Sequence, residues 1–237
     1  MLETIIYSIR ISLVSSVTAT VLGVAICALL VMRKKSSSRI VRAIQIPIIV
    51  PHVVVALLIL IMCSQNGLIA RLCYALGIIS EQSQFPTMIY DNAGIGVIFA
   101  YVWKETPFIV YFVIALMSNI NEKLGEAAIN LGASRFKAFM KVTLPLCRNA
   151  ILSGFLIIFA FSLGAYELPF ILGATKPKAL PVQAYIEYIH PDLRNRPYAM
   201  ALNGVIILIS VISAIIYFVL ISRKFRAAKV RRSEYEE

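Results

Sequence analysis

Lys104 and Glu105 stand side by side within IFAYVWKETPFIVYFVIALM, and Glu167 lies within FSLGAYELPFILG, so three ionisable side chains fall inside otherwise apolar stretches. An ionised side chain at the centre of a hydrocarbon layer costs at least about 2.5–3.5 kcal/mol, so each needs a partner or a water-filled path. Each glutamate is followed two residues later by a proline, Pro107 and Pro169. These withhold the hydrogen bonds that the carbonyls of Trp103 and Ala165 would receive. Freed carbonyls of this kind are tolerated where backbone lines a cavity. Tyr101, Trp103 and Tyr166 add ring faces that attract cations. Tyr101, Trp103, Lys104, Glu105, Tyr166, Glu167 and Pro169 are therefore the candidate wall of a solute pathway. The plainer alternative is a Lys104–Glu167 ion pair that only orients two helices, with the prolines as kinks and the aromatics as packing. On an ideal helix Glu105 points about 100° away from Lys104, so one of the two acids answers to some other group.

Nothing in the chain has the spacing of a catalytic set. GxxxxGK[ST], which would cradle nucleotide phosphates, is absent, as are HExxH, a Ser/His/Asp set near one face and paired carboxylates within a pocket-like segment. Cys27, Cys63, Cys73 and Cys147 lack metal-ligand spacing and read as small apolar packing residues. No catalytic residue, metal or bound cofactor is expected in this chain.

The elements that position the buried charges follow from hydropathy. Hydrophobic residues make up 59% of the chain and charged residues 15%. A helix crossing a hydrocarbon core needs about 20 apolar residues, and five runs qualify, near 11–32, 44–64, 93–118, 150–173 and 198–221. They are apolar on every face, which excludes a soluble bundle with polar stripes. The expected fold is an all-α integral membrane protein, a single transmembrane domain over 1–237 with five spans. The net charge of +11 is concentrated in 33–42 (Arg33, Lys34, Lys35, Arg39, Arg42), in 119–149 (Lys123, Arg135, Lys137, Lys141, Arg148) and in the tail (Arg223, Lys224, Arg226, Lys229, Arg231, Arg232). By the positive-inside rule these segments face the cytoplasm, with the N-terminus outside and the C-terminus inside. The tail would also rest on anionic lipid. The charge is an orientation signal, and no nucleic-acid partner is expected. The first run is too long for a secretory signal, and its basic cluster follows it, so it reads as an anchor.

Pro47 and Pro51 share one face of span two and predict a bent helix, with His52 close to the cytoplasmic boundary. The segment 65–92 predicts a short helix between turns on the outer side. In 180–202, also outside, Glu187, Asp192, Arg194 and Arg196 are plausible contacts for an external partner.

Between spans three and four, residues 119–149 form a polar, basic loop. Asn121 with Glu122 and Glu126 in the following turn predicts a capped helix that Gly132 ends or bends. Arg135 to Thr143 predicts a second short helix stopped by Pro145. The pair makes a projecting knob. Within it, Glu126-Ala127-Ala128, Gly132, Val142-x-Leu144-Pro145 resembles the EAA signature of the permease subunits of binding-protein-dependent ATP-binding-cassette importers of type I, with Val142 where that family more often has Ile. FSLGAYELPFILG and the paired prolines are similar to the corresponding spans of its spermidine/putrescine-type permeases.

The resemblance implies a knob that docks in a cleft of an ATPase subunit, with Glu126 pairing with a base there. Glu126, Ala127, Ala128, Gly132, Leu144 and Pro145 would form the coupling element. It further implies two ATPase subunits carrying ATP and Mg, a second permease subunit, identical or homologous, an extracytoplasmic solute-binding protein and a prokaryotic inner membrane. The substrate would be a polyamine or other small charged solute. An ion-gradient-driven secondary transporter and a non-transporting membrane scaffold are the rival readings. Neither accounts for residues 126–145.

Overall fold

The computed structural model describes residues 1–35 and 39–233, with side chains described as far as 219. The basic tail expected to rest on lipid therefore lies outside the described side chains, as does the serine run at 36–38. Every regular element among the described residues is helical. In chain order they are α1 Leu2–Met32, α2 Arg39–Ile44, α3 Ile46–Ile49, α4 His52–Cys63, α5 Leu68–Ala75, α6 Ile95–Ile120, α7 Glu126–Asn130, α8 Arg135–Ala138, α9 Leu144–Gly164, α10 Glu167–Leu172, α11 Leu180–Tyr188 and α12 Arg196–Ser233. Among the described residues, five stretches are long and apolar enough to cross a membrane: Leu2–Met32, His52–Ala75, Ile95–Asn130, Arg135–Gly164 and Leu193–Val219.

The centre of the bundle is α6. In lipid, helices associate through close packing of small residues, because hydrocarbon offers no hydrophobic drive between them. On α1 the fully buried face carries Ser12, Ser16, Ala19, Gly23 and Cys27, while Leu13, Val14, Val17 and Val21 are exposed. At Gly23 the helices leave no room for a side chain. A Cβ there would sit 2.7 Å from Ile109 Cβ and 3.2 Å from the Thr106 carbonyl. One apolar core joins Tyr7, Ile11, Val55, Ile59, Val97, Tyr101 and Leu168. A second joins Ala19, Cys27, Val110, Val113, Met117, Cys147 and Ile158.

The prolines break two spans. Pro47 and Pro51 divide the second span into α3 and α4, with Val50 extended between them (ψ 128°). The fourth apolar run is not one helix: α9 ends at Gly164, Ala165 is extended (ψ 136°), and α10 restarts at Glu167 with Pro169 in its first turn, where a missing N–H is harmless. The expected short helix in 65–92 is α5, entered through Gly67.

Candidate functional site

The knob differs from the two short capped helices that the sequence predicts. α6 does not end at Asn121. It passes through a π-helical turn, Asn121–Gly125, directly into α7, and α8 passes through another, Phe139–Thr143, directly into α9. Asn121 is therefore no N-cap: its side-chain oxygen accepts the Thr143 hydroxyl at 3.2 Å. Pro145 does not stop the second arm either. It sits in the first turn of α9, and the wide turn before it, where the Leu144 N–H reaches the Phe139 carbonyl, gives room for a residue that cannot donate. Gly132 does end the first arm. At φ +93° it follows a closing pair of bonds, Gly132 N–H to the Ile129 carbonyl (2.9 Å) and Ala133 N–H to the Ala128 carbonyl (3.0 Å), the arrangement in which a left-handed glycine satisfies the last carbonyls of a helix. Ser134 Oγ caps α8 by accepting the Lys137 N–H.

The base of the knob is closed and its tip is open. Gly125, Ala138, Phe139 and Thr143 are buried, whereas Leu131 is 90% exposed and Phe136 64%. Both apolar side chains are held away from the bundle. Of the coupling residues, Ala127, Gly132 and Pro145 are exposed, and Glu126, Ala128 and Leu144 are half-buried. Glu126 Oε1 accepts from Lys34 Nζ at 2.7 Å. Lys34 belongs to the basic turn after α1 and holds φ +53°, a partner that adjacency in sequence could not suggest.

The buried charges meet at a second place. Ile48, His52, Lys104, Glu105, Phe108, Ile157, Ile158 and Phe161 line a half-open cavity of about 260 Å³. Lys104 pairs with neither acid: its ammonium donates to the carbonyls of Pro47 (3.2 Å), Ile48 (3.3 Å) and Val50, the backbone groups exposed by the proline break. The Lys104–Glu167 ion pair is not formed. Glu105, 4% exposed, accepts from the Ser162 hydroxyl, so this acid answers to α9. Its second oxygen has no hydrogen-bond partner among the described residues. Tyr101, fully buried, donates to the Ser162 carbonyl at 3.3 Å. His52 opens α4 and lines the cavity beside Lys104, its ring 5.1 Å from that of Phe161. Trp103 faces outward and is 37% exposed, while Tyr166 packs 4.8 Å from both Phe170 and Tyr185. Of the predicted pathway residues, Tyr101, Trp103, Tyr166, Glu167 and Pro169 do not line the cavity. Ser162 was missed by the sequence reading, although a hydroxyl in an apolar span is the signal that could have found it.

On the distal segment, Glu187 accepts from Gln183 at 2.8 Å, Asp192 caps the Arg194 N–H, and Arg196 lies over the Tyr188 ring. Glu187, Asp192 and Arg196 are thus held by their neighbours, and Asp192, Arg194 and Arg196 are exposed.

A multi-pass membrane bundle with a polar two-arm knob between its third and fourth spans defines a class, the membrane-embedded permease. Residues 19–227 match the family described as the inner membrane component of binding-protein-dependent transport systems, and this chain belongs to it. Among its relatives, a probable molybdenum ABC transporter permease of Haloferax volcanii is 28% identical over 70% of this chain and 56% of its own. A molybdenum transport permease of Haemophilus influenzae is 27% identical over 72% of each chain. A spermidine/putrescine permease of the same organism is 29% identical over 72% of this chain and 55% of its own. This chain thus spans a little over half the length of two of them. The fold is similar to that of a bacterial alginate ABC transporter solved with its pentasaccharide-bound periplasmic protein (TM-score 0.76, 16% identity, 91% of this chain and 76% of that one). It is also similar to that of the inward-facing methionine ABC transporter (TM-score 0.63, 18% identity, 92% and 95%).

Proposed function

We propose that this chain is the permease subunit of an ATP-driven importer, pairing with a second copy or a homologous chain so that the two enclose a solute pathway. The observation that carries this reading is the knob. It presents Glu126 and an apolar tip to solvent at the end of two continuous helices, α6 and α9, which also carry Glu105 and Ser162. An ATPase that grips the tip can therefore move the cavity wall. In this reading the knob and the basic tail face the cytoplasm, the N-terminus lies outside, and ATP with Mg is held by two partner ATPases. A solute-binding protein docks on the side of α5 and α11, near Glu187, Asp192, Arg194 and Arg196.

The solute is small and charged. With the Lys104 ammonium spent on backbone carbonyls, Glu105 is the ionisable acid left on the cavity wall, which supports a cation such as a polyamine. The relatives named for molybdenum make an oxyanion the competing reading. The test is reconstitution of this chain with its ATPase and binding protein in proteoliposomes. Labelled spermidine, putrescine, molybdate and sulfate are offered separately. ATP-dependent uptake of one of them is expected. Uptake by the chain alone under an ion gradient would overturn the reading in favour of a secondary transporter.

A further inference from the structure

We propose that Asn121, Gly125 and Thr143 form a clamp that makes the two arms of the knob move as one body, and that they are positioning residues for coupling. The proposal rests on the coupling role assigned to the knob above and goes beyond it in naming what transmits the force.

The geometry is local and specific. The two π-helical turns lie against each other where the arms leave the bundle. In each, an N–H reaches back five residues, Glu126 to the Asn121 carbonyl and Leu144 to the Phe139 carbonyl. Such a turn inserts one residue into the helical ladder and rotates everything beyond it by about 100° relative to an uninterrupted α-helix. The direction in which Glu126 and the tip point is therefore set at these turns. Between them the fully buried Thr143 donates its hydroxyl to Asn121 Oδ1 at 3.2 Å. Gly125 permits the approach: a Cβ there would stand 2.7 Å from Asn121 Oδ1 and 3.3 Å from Thr143 Oγ1.

The same two helices are tied a second time, deeper in the bundle, where Ser162 of α9 bonds Glu105 of α6 and Tyr101 bonds the Ser162 carbonyl. A pair of rods joined at two levels transmits a push on its end without splaying. Joined at one level only, the same push is lost in spreading the arms. A buried hydroxyl and a matched glycine at the exit point supply the outer joint.

The experiment uses the assembled importer in proteoliposomes with labelled spermidine and molybdate as probes. Solute moved per ATP hydrolysed is measured for wild type, Thr143→Val, Thr143→Ser and Gly125→Ala. The affinity of the ATPase for the permease is measured in detergent alongside. Loss of one neutral side-chain hydrogen bond shifts the clamped-to-open ratio about fivefold, so Thr143→Val is expected to lower the transport-to-hydrolysis ratio by up to about fivefold, since that ratio follows the clamped fraction. ATPase affinity should be unchanged, and Thr143→Ser should restore the ratio. Gly125→Ala gives the same loss through a different atom, which covers the case in which Thr143→Val fails to assemble. Amide exchange at 121–125 and 139–143 should quicken in both variants. A transport-to-hydrolysis ratio equal to wild type in either assembled variant overturns the clamp, whatever the exchange shows. Absence of ATP-driven uptake in the wild-type complex overturns the transport reading itself and the clamp with it, a distinguishable result.

Discussion

Replacing Lys104 by methionine keeps the length of the side chain and removes the ammonium that serves three carbonyls. Pro47 retains a second partner, the Val50 N–H at 3.3 Å, so the loss falls on Ile48 and Val50. A buried polar group left unpaired costs about 1–3 kcal/mol, or about 2–6 kcal/mol for two. The cavity bordered by Ile48 and Lys104 is half open, so the two carbonyls are not fully enclosed, and the expected loss is about 3 kcal/mol, within that range. For a chain of this length, 1 kcal/mol moves the unfolding midpoint by about 2–4 °C. Lys104→Met is therefore expected to unfold about 6–12 °C below wild type when melting of the purified chain in detergent is followed by tryptophan or thiol-reactive fluorescence. Lys104→Arg, which keeps the donors on a bulkier head, recovers about half of the loss. A Lys104→Met midpoint within about 2 °C of wild type, together with an altered choice of solute, would refute the reasoning. The ammonium would then belong to the pathway and not to the broken span.

Other outcomes follow from the knob and the packing. Glu126→Lys places two bases together at the α1 turn and is expected to abolish ATPase binding in a pull-down while the chain still folds. Lys34→Met removes an exposed, solvent-screened ion pair and should leave the melting midpoint of the chain unchanged. Gly132→Ala forces a side chain into the left-handed region at φ +93°, costing about 1 kcal/mol; faster amide exchange at 130–135 checks it. Gly23→Ala drives a methyl into Ile109 and the Thr106 carbonyl and is expected to cost about 1–3 kcal/mol by overpacking, read as a lowered midpoint that Ile109→Val partly restores.

The spans were legible because an all-round apolar run of about 20 residues has few other structures available to it, and the reversal at Gly132 because a glycine following a short helix announces a left-handed cap. The continuity of each arm with its span was not legible. A π turn has no composition of its own, so Asn121 looked like a cap and Pro145 like a stop. The partner of Lys104 was half legible: Pro47 and Pro51 announce carbonyls without donors, and Lys104 is a cation at span depth. Only the fold shows that the two, more than fifty residues apart, stand at one level. The pairing of Glu126 with Lys34 depends on the placement of the first turn beside the third span, which no local pattern encodes.

That placement bears on how the molecule is made. The first helix finds its main neighbours, α6 and α9, only after the intervening hairpin has emerged from the ribosome. Until then its serine and glycine face has no protein against it and must be tolerated by lipid or by the insertion machinery. Ser12, Ser16 and Gly23 are compatible with that wait because they are small and only mildly polar, whereas a charged residue on the same face would be stranded. The order of synthesis, as much as the finished packing, therefore limits what the first span can contain.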